Sequence, residues 1–169
     1  MNISTKMQSA INTQIKHEFY SAYLYLSMSA HCDAGGWSGC AHWLRLQWQE
    51  EIAHALRLFD FVQRRGGHAT LEAIDKPPST FGPLLELFEQ VLEHEQSVTA
   101  KIHKLMDQAL VEKDHATSTE LQWFVTEQVE EEENAMYNVD VLKKIGDNQA
   151  ELLHFDRTLG DRQLEASPA

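Results

Sequence analysis

The sequence predicts an all-α protein, a four-helix bundle with a long crossover between the second and third helices and a short fifth helix at the C-terminal end. Three observations predict it. Apolar residues recur at helical spacing over four stretches of similar length, and within each stretch a seam repeats every seven residues. Glycine pairs and prolines fall between those stretches. The gap between the second and third stretches is long enough to run the length of a bundle.

The first helix extends from Ile3 to about His31, with Ile11, Ile15, Ala22 and Tyr25 on one stripe and Ser4 or Asn2 as its cap. Glu18 lies on that stripe, seven residues after Ile11 and seven before Tyr25. Asp33-Ala34-Gly35-Gly36 stops the helix. The second runs from about Trp37 to Arg65 and stops at Gly66-Gly67; its seam is Trp37, Leu44, Glu51 and Leu58, flanked by Ala41, Trp48, Ala55 and Val62. So short a link makes the first two helices antiparallel neighbours.

Residues 66–83 contain Pro77-Pro78 and Gly82-Pro83 and read as a connection. A helix of about 29 residues is about 44 Å long, whereas about 17 extended residues reach roughly 55 Å. The connection can therefore cross the whole bundle and set the third helix parallel to the second. That third helix, about Pro83 to Lys113, repeats Phe88, Glu95, Ile102 and Ala109 at sevens beside Leu84, Val91, Val98 and Leu105. After Asp114-His115 a fourth, about Ala116 to Ile145, places Phe124, Glu131 and Asn138 beside Leu121, Gln128, Ala135 and Leu142, and Gly146 ends it. A fifth piece spans roughly Gln149 to Leu159. The expected division is one domain over residues 1–160 and a polar, frayed tail over 161–169.

Composition narrows the function. With 169 residues the chain can bury one core, roughly 70% of the surface its unfolded form exposes. Its net charge of -12, from 26 acidic and 14 basic residues, argues against nucleic acid or an anionic membrane as partner and suits cations. No apolar leader or spanning run occurs, so a cytoplasmic protein is expected. Without a secretory signal, Cys32 and Cys40 are expected as free, partly buried thiols.

The chemistry lies at the middle of the seams. Glu18, Glu51, Glu95 and Glu131 each sit near the midpoint of one helix, and midpoints in such a bundle share one level. A buried, unpaired carboxylate costs several kcal/mol. One such glutamate could be explained by a face turned to solvent; four at one level require cations. His54, three residues after Glu51, shares its face at about 5–6 Å between Cβ atoms. Two divalent ions would neutralise most of the charge, with Glu51 as the bridge. Oxygen-rich ligands with one imidazole and open positions suit iron or manganese better than structural zinc.

His17-Glu18-Phe19-Tyr20, Glu50-Glu51-x-x-His54, His94-Glu95-Gln96 and Thr126-Glu127-Gln128-Val129-Glu130-Glu131 stand in the order and spacing of one family. Over about residues 3–160 the chain resembles the prokaryotic non-heme ferritins. The resemblance implies a ferritin-like di-iron domain, and an iron-storage protein with ferroxidase activity that oxidises Fe(II) with O2 or H2O2 and deposits Fe(III) as a mineral. It places one iron on Glu18, Glu51 and His54 and a second on Glu51, Glu95 and Glu131. Gln128 would orient His54 or a metal-bound water, unless it is simply a seam amide. Glu50, Glu127 and Glu130 match an additional iron site of bacterial members, although Glu130-Glu131-Glu132-Glu133 also reads as a solvated charge run.

Tyr25 matches an aromatic that supplies an electron during oxygen reduction, or else is a core ring, which is how Trp123 reads. Bacterioferritins carry a methionine beside the bridging glutamate and a second Glu-x-x-His; Ile52 and Glu127-x-x-Glu130 stand here, so no heme is expected. The implied assembly is a homo-oligomeric, 24-subunit cage, with Asp114 and Glu120 as candidate pore residues. A rival reading keeps the fold but not the catalysis, as a mineral-binding or assembly subunit. His17, His31, His42, His68, His94, His103, His115 and His154 read as surface or packing residues.

Overall fold

Local chemistry sets where each helix begins. In the computed structural model, which describes residues 2–163, the Ser4 hydroxyl accepts the Met7 N–H at 3.0 Å and starts α1 (Thr5–Ala34). Asp114 does the same for α4 (His115–Ile145) by accepting from Thr117 at 3.1 Å, and Asn148 for α5 (Gln149–Gly160) by accepting from Ala150 at 3.1 Å. Pro83 precedes α3 (Leu84–Glu112), where its missing N–H costs nothing. Residues 164–169 of the expected tail lie outside the described residues.

α2 (Ser38–Arg64) has no side-chain cap from the residue before it, Trp37. Asp156 of α5 supplies one instead, its Oδ1 accepting the Cys40 N–H at 2.8 Å. The two helices come so close that a Cβ on Gly39 would lie 1.7 Å from the Asp156 carbonyl oxygen. The fifth helix is thereby docked on the start of the second. α1 runs one turn beyond the expected His31, because its last carbonyls are closed by the Gly35 N–H and Gly36, at φ 81°, turns the chain.

Two apolar clusters fix the topology. One gathers Met28 and Cys32 from the end of α1, Cys40 and Leu44 from the start of α2, Leu84 and Phe88 from the start of α3, and Leu142 from the end of α4. The other gathers Met7 and Ile11, Leu58 and Phe61, Leu105 and Ala109, and Leu121 from the opposite helix ends. α2 and α3 therefore start at the same end and run parallel, as the crossover length requires. Its first buried residue, Ala69, sits in the second cluster and its last, Phe81, in the first. Both cysteines are free and buried. Among the described residues there is no strand, and no helix is long and apolar enough to cross a membrane.

Candidate metal centre

Between the two clusters the seams turn polar. Glu18, Glu51, His54, Glu95, Gln128 and Glu131 are all buried at this level, and Glu95 is 0% exposed. Ligand atoms of Glu18, Glu51 and His54 lie within 4.8 Å of one another, close enough to share an ion. Glu95 and Glu131 lie outside that group, and each is held by donors of its own.

Three of the four carboxylates receive hydrogen bonds. Gln14 donates its Nε2 to Glu18 at 2.8 Å, Gln47 to Glu131 at 2.7 Å, and Gln128 to Glu95 at 3.2 Å. The Tyr25 hydroxyl also donates to Glu95. Glu51 is different. Both of its oxygens are buried and have no hydrogen-bond partner; the Nδ1 of His54, the other member of the Glu-x-x-His pair, stays at 3.6 Å. A carboxylate withdrawn from water and given no donor must take up a proton or a cation. The donor set fits a cation: hard carboxylate oxygens with a single imidazole.

The electrostatics agree. Burial, reinforced by Glu18 and Glu95, drives the Glu51 carboxyl well above the usual carboxylate range despite His54 nearby. Burial, with the charges of Glu95 and Glu50, pushes Glu131 up to about 8. Burial also raises Glu95. For His54 burial opposes the cation, but the carboxylates of Glu127 and Glu51 outweigh it and raise the ring well above its usual value. Burial and the Glu95 charge keep Tyr25 a neutral phenol.

The rim differs from the centre. Glu50 is half-buried and paired with Arg162 at 3.0 Å; Glu127 reaches the His54 Nε2 at 3.8 Å; Glu130 is exposed. These three do not converge as Glu18, Glu51 and His54 do. The two pore candidates are engaged within the chain, Asp114 with Arg65 at 3.0 Å and Glu120 with Arg57 at 2.6 Å. Trp123 is only half-buried and sets its edge against His54, with Arg57 over its face at 4.2 Å.

Gln14, Gln47 and Arg162 join the site although the sequence does not single them out, and His94, read there as a surface or packing residue, packs beside it. Gln14 was accessible in the sequence, since it stands one helical turn before Glu18. Gln47 stands one turn before Glu51 yet donates across elements to Glu131, and no spacing marks Arg162. His94 is buried, packs edge-on to Tyr25 and shares a 2.8 Å hydrogen bond with Ser21; burial, with Lys101 and His17, lowers it to about 4.

Residues 8–145 match the ferritin-like domain family. A bacterial non-heme ferritin from Bacteroides fragilis is 47% identical over 160 residues, covering 95% of this chain and 99% of its own. One from Staphylococcus saprophyticus is 38% identical over 165 residues, 98% of this chain and 99% of its own. Among solved structures, an open-pore ferritin from the archaeon Archaeoglobus fulgidus superposes with a TM-score of 0.95 at 50% identity, over 96% of this chain and all of that one. An engineered closed form of the Archaeoglobus fulgidus ferritin gives 0.96 at 50% identity, over 97% and 100%.

Proposed function

The chain belongs to the ferritin family, which stores iron, and from that premise we propose that its buried carboxylate layer is a ferroxidase centre feeding a mineral core inside a 24-subunit homo-oligomeric shell. One observation carries the catalytic part: Glu51 alone in the layer has both oxygens buried and without a donor. A carboxylate left open on both oxygens is suited to bridge two ions. In this reading Glu18, Glu51 and His54 hold one Fe(II), and Glu51, Glu95 and Glu131 hold the other.

The neighbours divide the remaining work. Gln14, Gln47 and Gln128 each anchor a carboxylate that is not the bridge, so holding that carboxylate in place costs less when iron arrives. Protons held on the raised carboxyls leave as iron binds. Each Fe(II) gives one electron, and O2 takes two of them with two protons to leave as hydrogen peroxide. On a four-electron route that takes O2 to two waters, three electrons come from Fe(II) and the fourth, with its phenolic proton, from Tyr25, whose hydroxyl donates to Glu95. Glu127 and Glu130 form the rim across which Fe(III) departs, and Glu50, already paired with Arg162, borders it. The net charge of -12 supports a cation as cargo, and a cytoplasmic setting without nucleic-acid or membrane partners fits the same balance.

Stopped-flow absorbance on the assembled protein tests this. Mixing Fe(II) with O2 should give fast, saturable oxidation, and Glu51→Ala should slow it ~100-fold or more, at or beyond the upper end of what losing a contact that merely orients a metal ligand costs. An unchanged rate in Glu51→Ala, or slow unsaturable oxidation in both proteins, would leave only a silent mineral-binding subunit.

A further inference from the structure

Arg162 lies just beyond α5, in the part of the chain expected to be a frayed tail, yet it is among the most engaged residues of the rim. Its guanidinium donates to both oxygens of Glu50, at 3.1 and 3.0 Å, and to the Oε1 of Gln47. It also lies over the Trp43 ring at 5.2 Å. Its carbonyl oxygen is 3.0 Å from the Nε2 of His42. Glu50, Gln47, Trp43 and His42, all on α2, hold this segment in place. Glu50 and Arg162 are both half-buried, so the pair is shielded from full hydration, where an exposed pair would contribute little.

Two consequences follow from the directions of these bonds. Because Arg162 donates to the Gln47 oxygen, the amide must turn its Nε2 the other way, toward Glu131, where it donates at 2.7 Å. Because the same guanidinium covers Glu50, a cation that would use Glu50 must first displace it. A planar fork holds both acceptors at fixed angles; an ammonium, with freely rotating donors, can cover Glu50 but does not fix how the Gln47 amide is turned.

We propose that Arg162 is a positioning residue: a built-in cation that withholds Glu50 from metal binding and, through Gln47, orients Glu131 in the carboxylate layer. The segment just beyond α5 thus sets how many ions the rim accepts. This rests on the layer being a cation site, and the test separates the two.

The assembled protein is titrated with Zn2+, which is redox-inert, and the ions bound per subunit are counted calorimetrically. Arg162→Gln should bind about one ion more per subunit than wild type, or bind its weakest ion ~10-fold more tightly, the scale of one charge-assisted hydrogen bond. Adding Glu50→Gln to that variant should abolish the gain. In the wild-type background, where Arg162 already holds the carboxylate, Glu50→Gln should change nothing, and this arm needs no change at Arg162. Arg162→Lys should keep wild-type stoichiometry but slow Fe(II) oxidation, since a lysine covers Glu50 without fixing Gln47. Wild-type binding in Arg162→Gln, or loss of an ion in Glu50→Gln alone, overturns the proposal. If wild type binds no Zn2+, the cation-site reading falls with it.

Discussion

The middle of the bundle and its two ends are built on the same helices and the same seven-residue seam, yet they follow opposite rules. At the ends Leu44, Leu58, Phe88 and Leu121 are wholly enclosed in hydrocarbon. Each contributes about 1.5–3 kcal/mol by leaving water. One or two turns away, Glu18, Glu51, His54, Glu95 and Glu131 are enclosed just as fully, and each buried charge costs several kcal/mol unless it is partnered. The ends therefore hold the fold together, while the middle costs stability and needs partners to offset its charge.

A truncation at one end gives the largest expected effect and tests the division directly. Leu44 is 0% exposed and stands seven residues before Glu51 on the same seam. Leu44→Ala should cost about 2–5 kcal/mol of stability, from lost transfer energy plus the cavity left behind. The number of Zn2+ ions bound per subunit should stay the same. Thermal unfolding and calorimetric titration on one preparation check both halves; a lost ion would mean that ends and middle are not independent.

Next in size is the response to pH. Glu131 has its carboxyl pushed up to about 8 from 4.5, so the folded, metal-free chain keeps a proton that the unfolded chain releases above 4.5. Stability therefore falls as pH rises from about 4.5 to about 8, because the folded state binds the extra proton over that window. Glu51 and Glu95, also raised, act in the same direction. So does His54, whose contribution is full below 6.5 and is lost as pH climbs through its raised value. The metal-free melting temperature should drop by several degrees between pH 5 and 8, Zn2+ should restore it, and Glu131→Gln should flatten the slope. A metal-free protein that gained stability over this range would show that the layer is not under the strain its burial implies.

The same contrast explains what could be read from the sequence. Periodicity fixes which face of a helix is enclosed, so Glu18, Glu51, Glu95 and Glu131 could be placed in the seam, and the length of residues 66–83 could be matched to a crossover. Caps and glycines gave the helix ends to within a few residues. The partners of each carboxylate were less accessible. Gln14 to Glu18 is a one-turn contact, but Gln47 reaches Glu131 across 84 positions and Arg162 reaches Glu50 across 112. Those bonds depend on how far each helix is rotated about its axis and on where the chain end returns. Seven-residue spacing constrains neither. For the same reason Glu50, Glu127 and Glu130 look like one set on the sequence, while in the fold Glu50 is paired, Glu127 turns to His54 and Glu130 is exposed.

The smallest expected effect concerns Tyr25, which belongs to both regions. Its ring is 0% exposed and packs within the apolar cluster, edge-on to His94, while its hydroxyl donates to Glu95. Tyr25→Phe keeps the ring and removes only the hydroxyl. Glu95 would still receive the Gln128 amide at 3.2 Å, so the carboxylate is not stranded. The lost bond is worth up to about 1.5–3 kcal/mol when the acceptor is charged, but burial raises the Glu95 carboxyl and so disfavours its charged form, which reduces that figure. Ion stoichiometry should therefore be unchanged, and oxidation should slow only a few-fold in single-turnover mixing. If Tyr25 supplies an electron, a tyrosyl radical signal trapped by rapid freezing in wild type should vanish in Tyr25→Phe. A variant that instead loses an ion would assign the hydroxyl to holding Glu95 in place, and Tyr25 would then count among the supports of the layer and not among its chemistry.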